Sequence, residues 1–433
     1  MHDALHIPRT ARCPITRVDA LEILDCRGEP TLRVTVTLAD GTVAWADVPA
    51  GKSTGAHEAS EVRDGGKRYG GRGVRRAVTN VVGQIQPKLL GVDATRQRLV
   101  DGMLIDLDGT ATKKKLGANA IVGVSLAVAR AAARSLGIPL YRYLNVNAHV
   151  LPVPLVNLIN GGKHASNDLE FQEVCIFPVG ADTFAEAMEI SYRVNAELRE
   201  IVIKKYGKLA ANVGDEGGFA PPMAGVLEAL GCLEQAVSRS GYAQKIVYGL
   251  DCAATHLFDS KSKKYTLEGK KLTSNELLKF YRSLLTKFPI ASIEDPFAED
   301  DVDGFVHATR ELAIQIVGDD FFCTNSQRLR KGVAAGAANA MLWKVNQIGT
   351  LTEALDAAEL AYRSGYGVMV SERSGETEDP IIADLTVGLN AGQIKTGAPV
   401  RGERTAKYNR LLEIERELGA CARYAGKNFK VPF

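Results

Sequence analysis

Charged residues close four short apolar segments in the C-terminal half of this chain. The segments end at Asp251, Glu294, Asp319 and Lys344, at intervals of 43, 25 and 25 positions. Such intervals suit a strand, a helix and two turns, because a (β/α)₈ barrel uses about 250 residues for eight such units. The C-terminal ends of parallel strands meet at one mouth of a barrel, where catalytic groups lie. Three carboxylates and a lysine at that mouth indicate a divalent metal ion and a base.

Each acidic residue also has a simpler interpretation. A single Asp or Glu after a strand is most often the N-cap of the following helix. Three acidic residues at barrel-like intervals, followed by a lysine in the same position relative to its strand, are harder to explain as caps. The whole pattern therefore favours a reaction site, and no single member of it would.

Two polar loops supply further candidate residues. Asp215 and Glu216 lie among glycines and before two prolines, where glycine permits close approach of the backbone. Arg373 and Ser374 follow a predicted strand and could bind a phosphate, since the planar Arg side chain suits paired contacts with an anion. These loops could instead be a plain turn and a solvated charged loop. His164 beside a predicted strand is by itself more often structural.

Residues 49–55 contain Gly51, Lys52 and Ser53, which resembles part of a phosphate-binding P-loop. That motif needs a glycine five positions before Gly51, and Ala46 stands there inside a predicted strand. The P-loop interpretation is therefore rejected. Two interpretations stay open: a surface turn, or a flexible loop that closes over a phosphate and completes a metal shell.

These groups together suit one reaction class, the removal of a proton beside a carboxylate followed by loss of a β leaving group. The enolate so formed needs cations on its carboxylate oxygens. Oxygen ligands without a thiolate or several histidines indicate Mg²⁺. A partly desolvated lysine among cations has a lowered pKa and can act as the base. A carboxyl group across the site could protonate the departing hydroxyl.

Composition limits the class of protein. The chain has 433 residues, 24% charged and 45% hydrophobic, as in ordinary globular proteins. A net charge of +2 argues against a nucleic-acid or membrane-binding surface. The seven scattered cysteines form no C-x-x-C pair, which argues against a disulfide framework or a zinc site and favours a cytoplasmic protein. The N-terminus lacks a signal-peptide pattern, and polar residues interrupt the apolar stretch 116–136, which we interpret as a buried helix.

The predicted elements form two parts. Residues 1–14 are expected to be a loose arm, and alternating patterns at 15–24, 31–38 and 43–48 predict a three-stranded meander followed by helices at 74–90, 97–104 and 119–136. We therefore expect an N-terminal α+β capping domain over residues 1–145. Residues 146–433 are expected to form an irregular eight-stranded β/α (TIM-like) barrel. Its predicted strands are 153–159, 174–177, 246–251, 290–294, 315–319, 340–344, 367–371 and 394–395.

The predicted barrel begins irregularly. No helix fits between its first two strands, whereas two helices, at 183–206 and 225–240, fit between the second and third. A capping box at 350–353 opens a helix that extends to 364, and the last helix is expected at about 407–418.

The motifs closely resemble the enolase family, and the resemblance extends from about Val18 to Phe429, in order and with the family's spacing. The enolase superfamily is itself a known case of a Lys or His base working with one or two Mg²⁺ ions, so the resemblance and the chemistry inferred above are not independent. The segments that carry it are Leu24-Asp-Cys-Arg-Gly28, Leu116-Gly-Ala-Asn119, Gly214-Asp-Glu-Gly-Gly218, Ile293-Glu-Asp-Pro296, Gly318-Asp-Asp320, Lys344-Val-Asn-Gln-Ile-Gly349, Arg373-Ser-Gly-Glu-Thr-Glu-Asp379 and Gln393-Ile-Lys-Thr-Gly397.

The resemblance implies a role for each candidate residue and two Mg²⁺ ions per active site. It implies that Lys344 is the base that takes the C2 proton of 2-phosphoglycerate, and that Glu216, backed by Glu173, is the acid at the hydroxyl. It also implies a homodimer or higher homo-oligomer acting on a small phosphorylated carboxylate. The remaining implied residues are Asp251, Glu294 and Asp319 for the tighter Mg²⁺, Ser53 for the second, Lys395 for the substrate carboxylate, Arg373 and Ser374 for the phosphate, and His164 and Gln172 for the pocket lining.

Three residues depart from the family pattern at the substrate. Glu372 replaces a histidine, and Lys52 and Lys163 replace small residues. Glutamate in place of histidine removes a donor and adds a negative charge, and two like charges 4 Å apart at an effective dielectric of 20 cost about 4 kcal/mol. The two lysines favour a more anionic ligand.

Three functions therefore stay open at this point. The first is the enolase reaction with tolerated substitutions. The second is the same enolate chemistry on a more anionic substrate, in an enolase paralogue similar to the carboxyphosphonoenolpyruvate synthases of phosphonate and phosphinate natural-product pathways. The third, more remote, is a non-catalytic binding protein on the enolase fold, which the presence of every metal and base residue disfavours.

Overall fold

A computed structural model describes residues 13–52, 54–223 and 225–431. The N-terminal arm expected at residues 1–14 lies outside these ranges except for its last two residues, and so does Ser53. No helix within the described ranges is long and apolar enough to cross a membrane.

The N-terminal part is an antiparallel sheet covered by helices, as predicted. Strand β2 pairs with β1 on one side and with β3 on the other. Gly123 lets the long helix α4 approach this sheet closely, because an added Cβ would lie 2.6 Å from Val34 and 2.9 Å from Val48. The bounds are β1 Ile15–Leu24, β2 Pro30–Leu38, β3 Val43–Asp47, α1 Arg75–Asn80, α2 Gln86–Leu89, α3 Gln97–Asp108, α4 Ala118–Ser135 and α5 Leu140–Leu144, with a π-helical turn at Val81–Ile85 between α1 and α2.

The rest of the chain forms the predicted closed barrel of eight strands. The irregular start is a reversed strand: β6 is antiparallel to both its neighbours, and the other barrel pairings are parallel. In chain order the strands are β4 Val150–Leu151, β5 Val153–Asn160, β6 Glu173–Phe177, β7 Val247–Asp251, β8 Phe258–Asp259, β9 Lys264–Leu267, β10 Lys270–Leu272, β11 Ile290–Glu294, β12 Gln315–Gly318, β13 Ala340–Trp343, β14 Gly367–Ser371, β15 Gln393–Lys395 and β16 Arg423–Tyr424. Strands β8–β10 form a small separate sheet, and β4 pairs with β16.

Helices follow most of the barrel strands and shield them from solvent. Their bounds are α6 Phe184–Tyr206, α7 Val226–Ser240, α8 Ser274–Leu285, α9 Val302–Leu312, α10 Ser326–Ala335, α11 Val345–Ile348, α12 Leu351–Arg363, α13 Ile381–Gly388 and α14 Gly402–Leu418. The last helix begins five residues before the predicted position 407. Its first turn is anchored by buried charges, Glu403 and Arg404, and therefore shows no apolar periodicity in the sequence.

Asp379 connects the N-terminal sheet and helix α4 to the loop after β14. Its Oδ2 accepts hydrogen bonds from the Asp47 backbone N–H, at 3.0 Å, and from Arg130 Nη1, at 3.1 Å. The Asp379 carboxylate is buried, with its side chain 2% exposed. A second ion pair, Arg98–Asp356, also bridges the N-terminal part and the barrel, but it is solvent-exposed.

Comparing the two ion pairs, one buried and one exposed, tests whether Asp379 stabilises the contact between the N-terminal part and the barrel. We expect Asp379→Ala to lower the free energy of unfolding by about 3 kcal/mol, because it leaves the Arg130 charge without its buried partner. Asp356→Ala should cost about 0–1 kcal/mol, since its pair is screened by water. Urea denaturation of both variants measures the difference, and equal losses would show that Asp379 does not have this role.

Candidate active site

The mouth of the barrel brings together the charged ends of its strands in one narrow, polar cavity. Asp251, Glu294 and Lys395 are the last residues of β7, β11 and β15, and Asp319 and Lys344 come directly after β12 and β13. The parallel register sets Glu294 opposite Asp251. The cavity is lined by Gly51, His164, Gln172, Glu173, Glu216, Asp251, Lys344, Ser371, Glu372, Arg373, Ser374 and Lys395.

Lys395 lies at the centre of the buried carboxylates. Its Nζ is 2.8 Å from Asp251 Oδ2, 2.8 Å from Glu294 Oε2 and 3.2 Å from Glu173 Oε1. Burial disfavours the charged ammonium, but these carboxylates outweigh burial and raise the pKa of Lys395 well above its ordinary value. Burial and the nearby Asp251 charge raise the pKa of Glu294. Lys395 is thus a fixed positive charge at this site.

Lys344 is paired with Asp319. Its Nζ donates to Asp319 Oδ2 at 2.6 Å, and Gln347 donates to the other oxygen at 2.8 Å. Burial disfavours its charge, but Asp319 prevails and the pKa of Lys344 is raised. Without a bound metal ion, the pKa of Lys344 is thus raised, whereas the sequence led us to expect a lowered pKa beside cations. That expectation assumed cations beside the lysine and did not include the direct contact with a carboxylate.

His164, Glu173 and Glu216 form a second buried group, with a ligand atom of each within 4.8 Å of the others. His164 Nδ1 is 3.5 Å from Glu173 Oε1 and 3.4 Å from Glu216 Oε1. Burial and the Glu216 charge raise the pKa of Glu173. At Glu216, the opposing effect of His164, Lys395 and Arg404 exceeds that of burial and lowers the pKa. A proton held by the two carboxyls therefore favours Glu173.

The two candidate phosphate-binding residues, Arg373 and Ser374, form hydrogen bonds with the N-terminal part of the chain. Arg373 Nη1 donates to Glu58 Oε2 and to Asn346 Oδ1, both at 3.0 Å. Ser374 Oγ accepts from the backbone N–H of Lys52 at 2.8 Å. The loop before Ser53 therefore reaches the barrel mouth in this structure.

Two of the three unusual charges are paired within the chain. Lys52 Nζ donates to Asp215 Oδ2 at 2.8 Å and is partly exposed. Glu372 Oε2 is 2.7 Å from Arg404 Nη1 and accepts from Thr396 Oγ1 at 3.1 Å. Burial raises the pKa of Glu372 to about 8, against the opposing effect of Arg404. Lys52 and Glu372 thus each have an opposite charge within hydrogen-bond distance.

The remaining predicted residues divide between the cavity and its surroundings. Gln172 lines the cavity and donates to Asp251 Oδ2 at 3.1 Å. Lys163 is exposed and does not line the cavity, although it directly precedes His164. Ser53 lies outside the described residues, so its predicted contact with metal and phosphate stays a prediction.

Several supporting residues could not be found from the sequence. Arg404 is fully buried beneath the loop that follows β14. It donates to the backbone carbonyls of Arg373, Ser374 and Asp215, at 2.8, 2.7 and 3.0 Å. Asn157 donates to Glu216 Oε2 at 3.2 Å. Neither residue lies at a strand end with a distinctive spacing. Only their contacts in the fold identify them.

Another acidic group lies close to the strand ends, and one of its members, Asp295, is occupied by backbone donors. A ligand atom of each of Asp295, Asp319 and Asp320 lies within 4.8 Å of the others. The two Asp295 oxygens accept the backbone N–H groups of Asp319 and Asp320, at 2.8 and 2.9 Å. Asp295 therefore orients the turn that carries Asp319. Within the described ranges, the structure shows no hydrogen bond from the backbone of that turn to Asp251 or Glu294. Glu294 Oε1 has no hydrogen-bond donor among the described residues.

Comparison with known sequences agrees with this architecture. The chain matches the family model of the enolase N-terminal domain over residues 15–144 and that of the enolase C-terminal TIM barrel domain over residues 148–433. A protein named enolase from Methanocaldococcus jannaschii is 56% identical, with 98% of this chain and 99% of the relative covered. Proteins of the same name from Thermococcus kodakarensis and Pyrococcus furiosus are 56% and 58% identical, each over 97% of this chain and 98% of the relative.

Gly397 provides a test of the packing behind the site. It has a φ of +79°, and an added Cβ would lie 2.7 Å from the Glu216 carbonyl oxygen and 2.8 Å from Glu372 Oε1. We expect Gly397→Ala to cost about 1–3 kcal/mol of steric strain in addition to the roughly 1–2 kcal/mol of the left-handed backbone. Gly336→Ala is the control, since Gly336 has a φ of +69° and open space around it. Equal losses of unfolding free energy in urea would contradict this.

Proposed function

This chain belongs to the enolase family, and we propose that the cavity at the barrel mouth is its active site. The chain is accordingly a lyase of the phosphopyruvate hydratase type, which dehydrates 2-phosphoglycerate to phosphoenolpyruvate. One observation carries the assignment to this cavity. Lys395, which is buried, and Lys344, which is mostly buried, lie in direct contact with carboxylates from three neighbouring strand ends, beside an arginine and a serine suited to a phosphate.

We propose that Asp251, Glu294 and Asp319 hold one Mg²⁺, and that Ser53 binds a second together with the substrate phosphate. The donor set fits, because it consists of carboxylate and hydroxyl oxygens, the ligands that Mg²⁺ prefers. Glu294 Oε1, buried without a donor among the described residues, also fits a cation ligand. When bound, Mg²⁺ supplies positive charge that stabilises the enolate. It would also compete for Asp319 and so lower the pKa of Lys344.

The reaction requires three further tasks of the protein. Lys344 takes the proton from C2, the electrons form the C2=C3 double bond, and the C3–O bond breaks. The Glu173–Glu216 pair returns a proton to the departing oxygen, so that water leaves. Since that proton favours Glu173, we propose that Glu173 supplies it through Glu216. Lys395 orients the substrate carboxylate by its charge, Arg373 and Ser374 hold the phosphate, and His164 and Gln172 line the pocket.

The observed ion pairs remove the argument for a more anionic substrate. That argument needs Lys52 and Lys163 to offer unpaired positive charge to the ligand. Lys52 instead contacts Asp215, and Lys163 is exposed outside the cavity lining. The negative charge of Glu372 is likewise matched by Arg404. The local charge therefore changes less than the sequence suggested, and 2-phosphoglycerate remains the substrate that fits.

We also propose a homodimer or higher homo-oligomer, a cytoplasmic location and a domain boundary between residues 145 and 146. All seven cysteines are free thiols, which fits a reducing compartment. Equilibrium sedimentation tests the dimer.

The reaction itself is tested with purified protein, Mg²⁺ and 2-phosphoglycerate. We expect rapid formation of phosphoenolpyruvate, followed by its ultraviolet absorbance, and a loss of at least a thousandfold in kcat for Lys344→Ala. The control is Lys163→Ala, which should stay within about threefold of the parent because Lys163 lies outside the cavity. Negligible turnover by the parent that Glu372→His restores would favour the paralogue instead. Full activity of Lys344→Ala would show that another group is the base.

Magnesium should stabilise the fold through Asp251 and Glu294. We expect Mg²⁺ at 100 times its Kd to raise the free energy of unfolding by about 2.7 kcal/mol, because it binds only the folded chain. Thermal unfolding with and without Mg²⁺ measures the gain. Asp251→Asn and Glu294→Gln should lose most of it, whereas Asp300→Asn, an exposed carboxylate 83% accessible, should retain it. Loss of the gain only in Asp300→Asn would place the ion elsewhere.

A further inference from the structure

Thr324 is a fully buried residue in an unfavourable backbone conformation close to the barrel mouth. It ends the turn that begins at Asp319, and its φ is +52°. Cys323, directly before it, has a φ of +48°. A β-branched residue rarely adopts a positive φ, because its side chain then crowds the backbone. Residues held in such conformations persist only where their surroundings fix them, and they cluster at functional sites.

The Thr324 hydroxyl connects the turns that follow β12 and β13. Its Oγ1 accepts a hydrogen bond from the backbone N–H of Lys344, at 2.9 Å. It donates its own hydrogen to Oε1 of Gln347, at 2.7 Å, and Gln347 is also fully buried. A hydroxyl has a single hydrogen to donate, so this bond requires the carbonyl end of the Gln347 amide to face Thr324.

The amino end of the Gln347 amide therefore faces carboxylates. Nε2 donates to Asp319 Oδ1 at 2.8 Å and lies 3.4 Å from Glu58 Oε1. Lys344 Nζ donates to the other Asp319 oxygen, Oδ2, at 2.6 Å. A reversed amide would place its carbonyl oxygen against two carboxylates. The orientation of the Asp319 carboxylate thus depends on the orientation of Gln347.

We propose that Thr324 is a positioning residue for the enolase reaction, because its hydroxyl orients Gln347, which in turn directs one Asp319 oxygen towards Lys344. This inference rests on the proposed function, in which Lys344 takes the C2 proton and Asp319 binds Mg²⁺. The base and the metal ligand are thereby held at a fixed separation by a residue that does not line the cavity. A misplacement of about 1 Å in such a site can cost a hundredfold in rate.

A purely structural role for Thr324 predicts a different result. Its hydroxyl would then only satisfy the buried N–H of Lys344, and its loss would destabilise the fold without slowing the folded enzyme. Thr309 of α9 provides a matched comparison away from the cavity. Its hydroxyl also accepts a backbone N–H, from Ala338 at 2.8 Å, and donates to the Phe305 carbonyl at 2.7 Å.

The first experiment compares Thr324→Val with Thr309→Val at saturating Mg²⁺. Both replace a hydroxyl by a methyl group of similar size. We expect Thr324→Val to lower kcat for 2-phosphoglycerate at least tenfold while KM stays within threefold, since the residues proposed to bind the substrate are unchanged. Thr324→Ser keeps the hydroxyl and should stay within threefold of the parent in kcat, and so should Thr309→Val. A folded Thr324→Val with the parent's kcat would overturn the inference.

A double-variant cycle shows whether Thr324 acts through Gln347. Gln347→Met removes the donor to Asp319 and should by itself lower kcat at least tenfold. Adding Thr324→Val to Gln347→Met should then lower kcat by less than a further threefold, because the route through the amide is already interrupted. Two effects that multiply to their full product would refute this route.

The affinity for Mg²⁺ gives a measurement that does not depend on turnover. Calorimetry should show a Kd for Mg²⁺ raised at least threefold in Thr324→Val, and within twofold of the parent in Thr324→Ser and Thr309→Val. A parental Kd in Thr324→Val would show that Asp319 keeps its orientation without the hydroxyl, which contradicts the inference. If Thr324→Val does not unfold cooperatively, Thr324→Ala, which lacks the branched side chain, provides the same measurements.

The outcome is separable from the proposed function. Rapid turnover by the parent, together with a Thr324→Val variant that matches Thr309→Val in kcat and in Mg²⁺ affinity, would overturn only the role of Thr324. Absence of turnover by the parent would overturn the proposed function. A Kd for Mg²⁺ that is still raised in Thr324→Val alone would then support the role of Thr324 in orienting Asp319.

Discussion

Compensation of buried charge is the constraint on which this structure depends. The barrel closes with carboxylates at the ends of β6, β7 and β11, in a place that water scarcely reaches. Isolated buried carboxylates would be too costly, so each needs a cation close by. Lys395 meets this need for three of them at once, and Lys344 does so for Asp319. We propose that the same charges then serve the reaction, because an enolate needs cations where it forms.

The N-terminal part completes this arrangement. Glu58 pairs with Arg373, the Lys52 backbone contacts Ser374, and Ala50 exchanges backbone hydrogen bonds with Gly375. The candidate phosphate-binding residues Arg373 and Ser374 are thus held by a chain segment more than 300 positions away. Such long-range contacts explain why the capping part is needed for a site whose charged groups lie mostly on the barrel. A barrel alone would leave Arg373 without its carboxylate.

Lys52 and Glu372, which the sequence suggested as departures from the family pattern, each lie beside an opposite charge. Asp215 and Arg404 lie within 2.8 Å of them and balance each new charge. Judged one residue at a time, these changes indicate a different ligand. Judged as pairs, they give no reason to expect a different ligand.

The sequence alone determined the fold class, the eight barrel strands and the residues at their ends, because alternating and buried apolar runs mark strands and charged residues terminate them. Motif spacing then indicated the family. The sequence could not reveal that β6 runs antiparallel to both its neighbours, that α14 begins at Gly402, or that Arg404 pairs with Glu372. Nor could it reveal that, without a bound metal ion, the contact with Asp319 raises the pKa of Lys344. These features depend on which side chains meet after folding, since distance and burial decide the energy of a charge and neither is encoded locally.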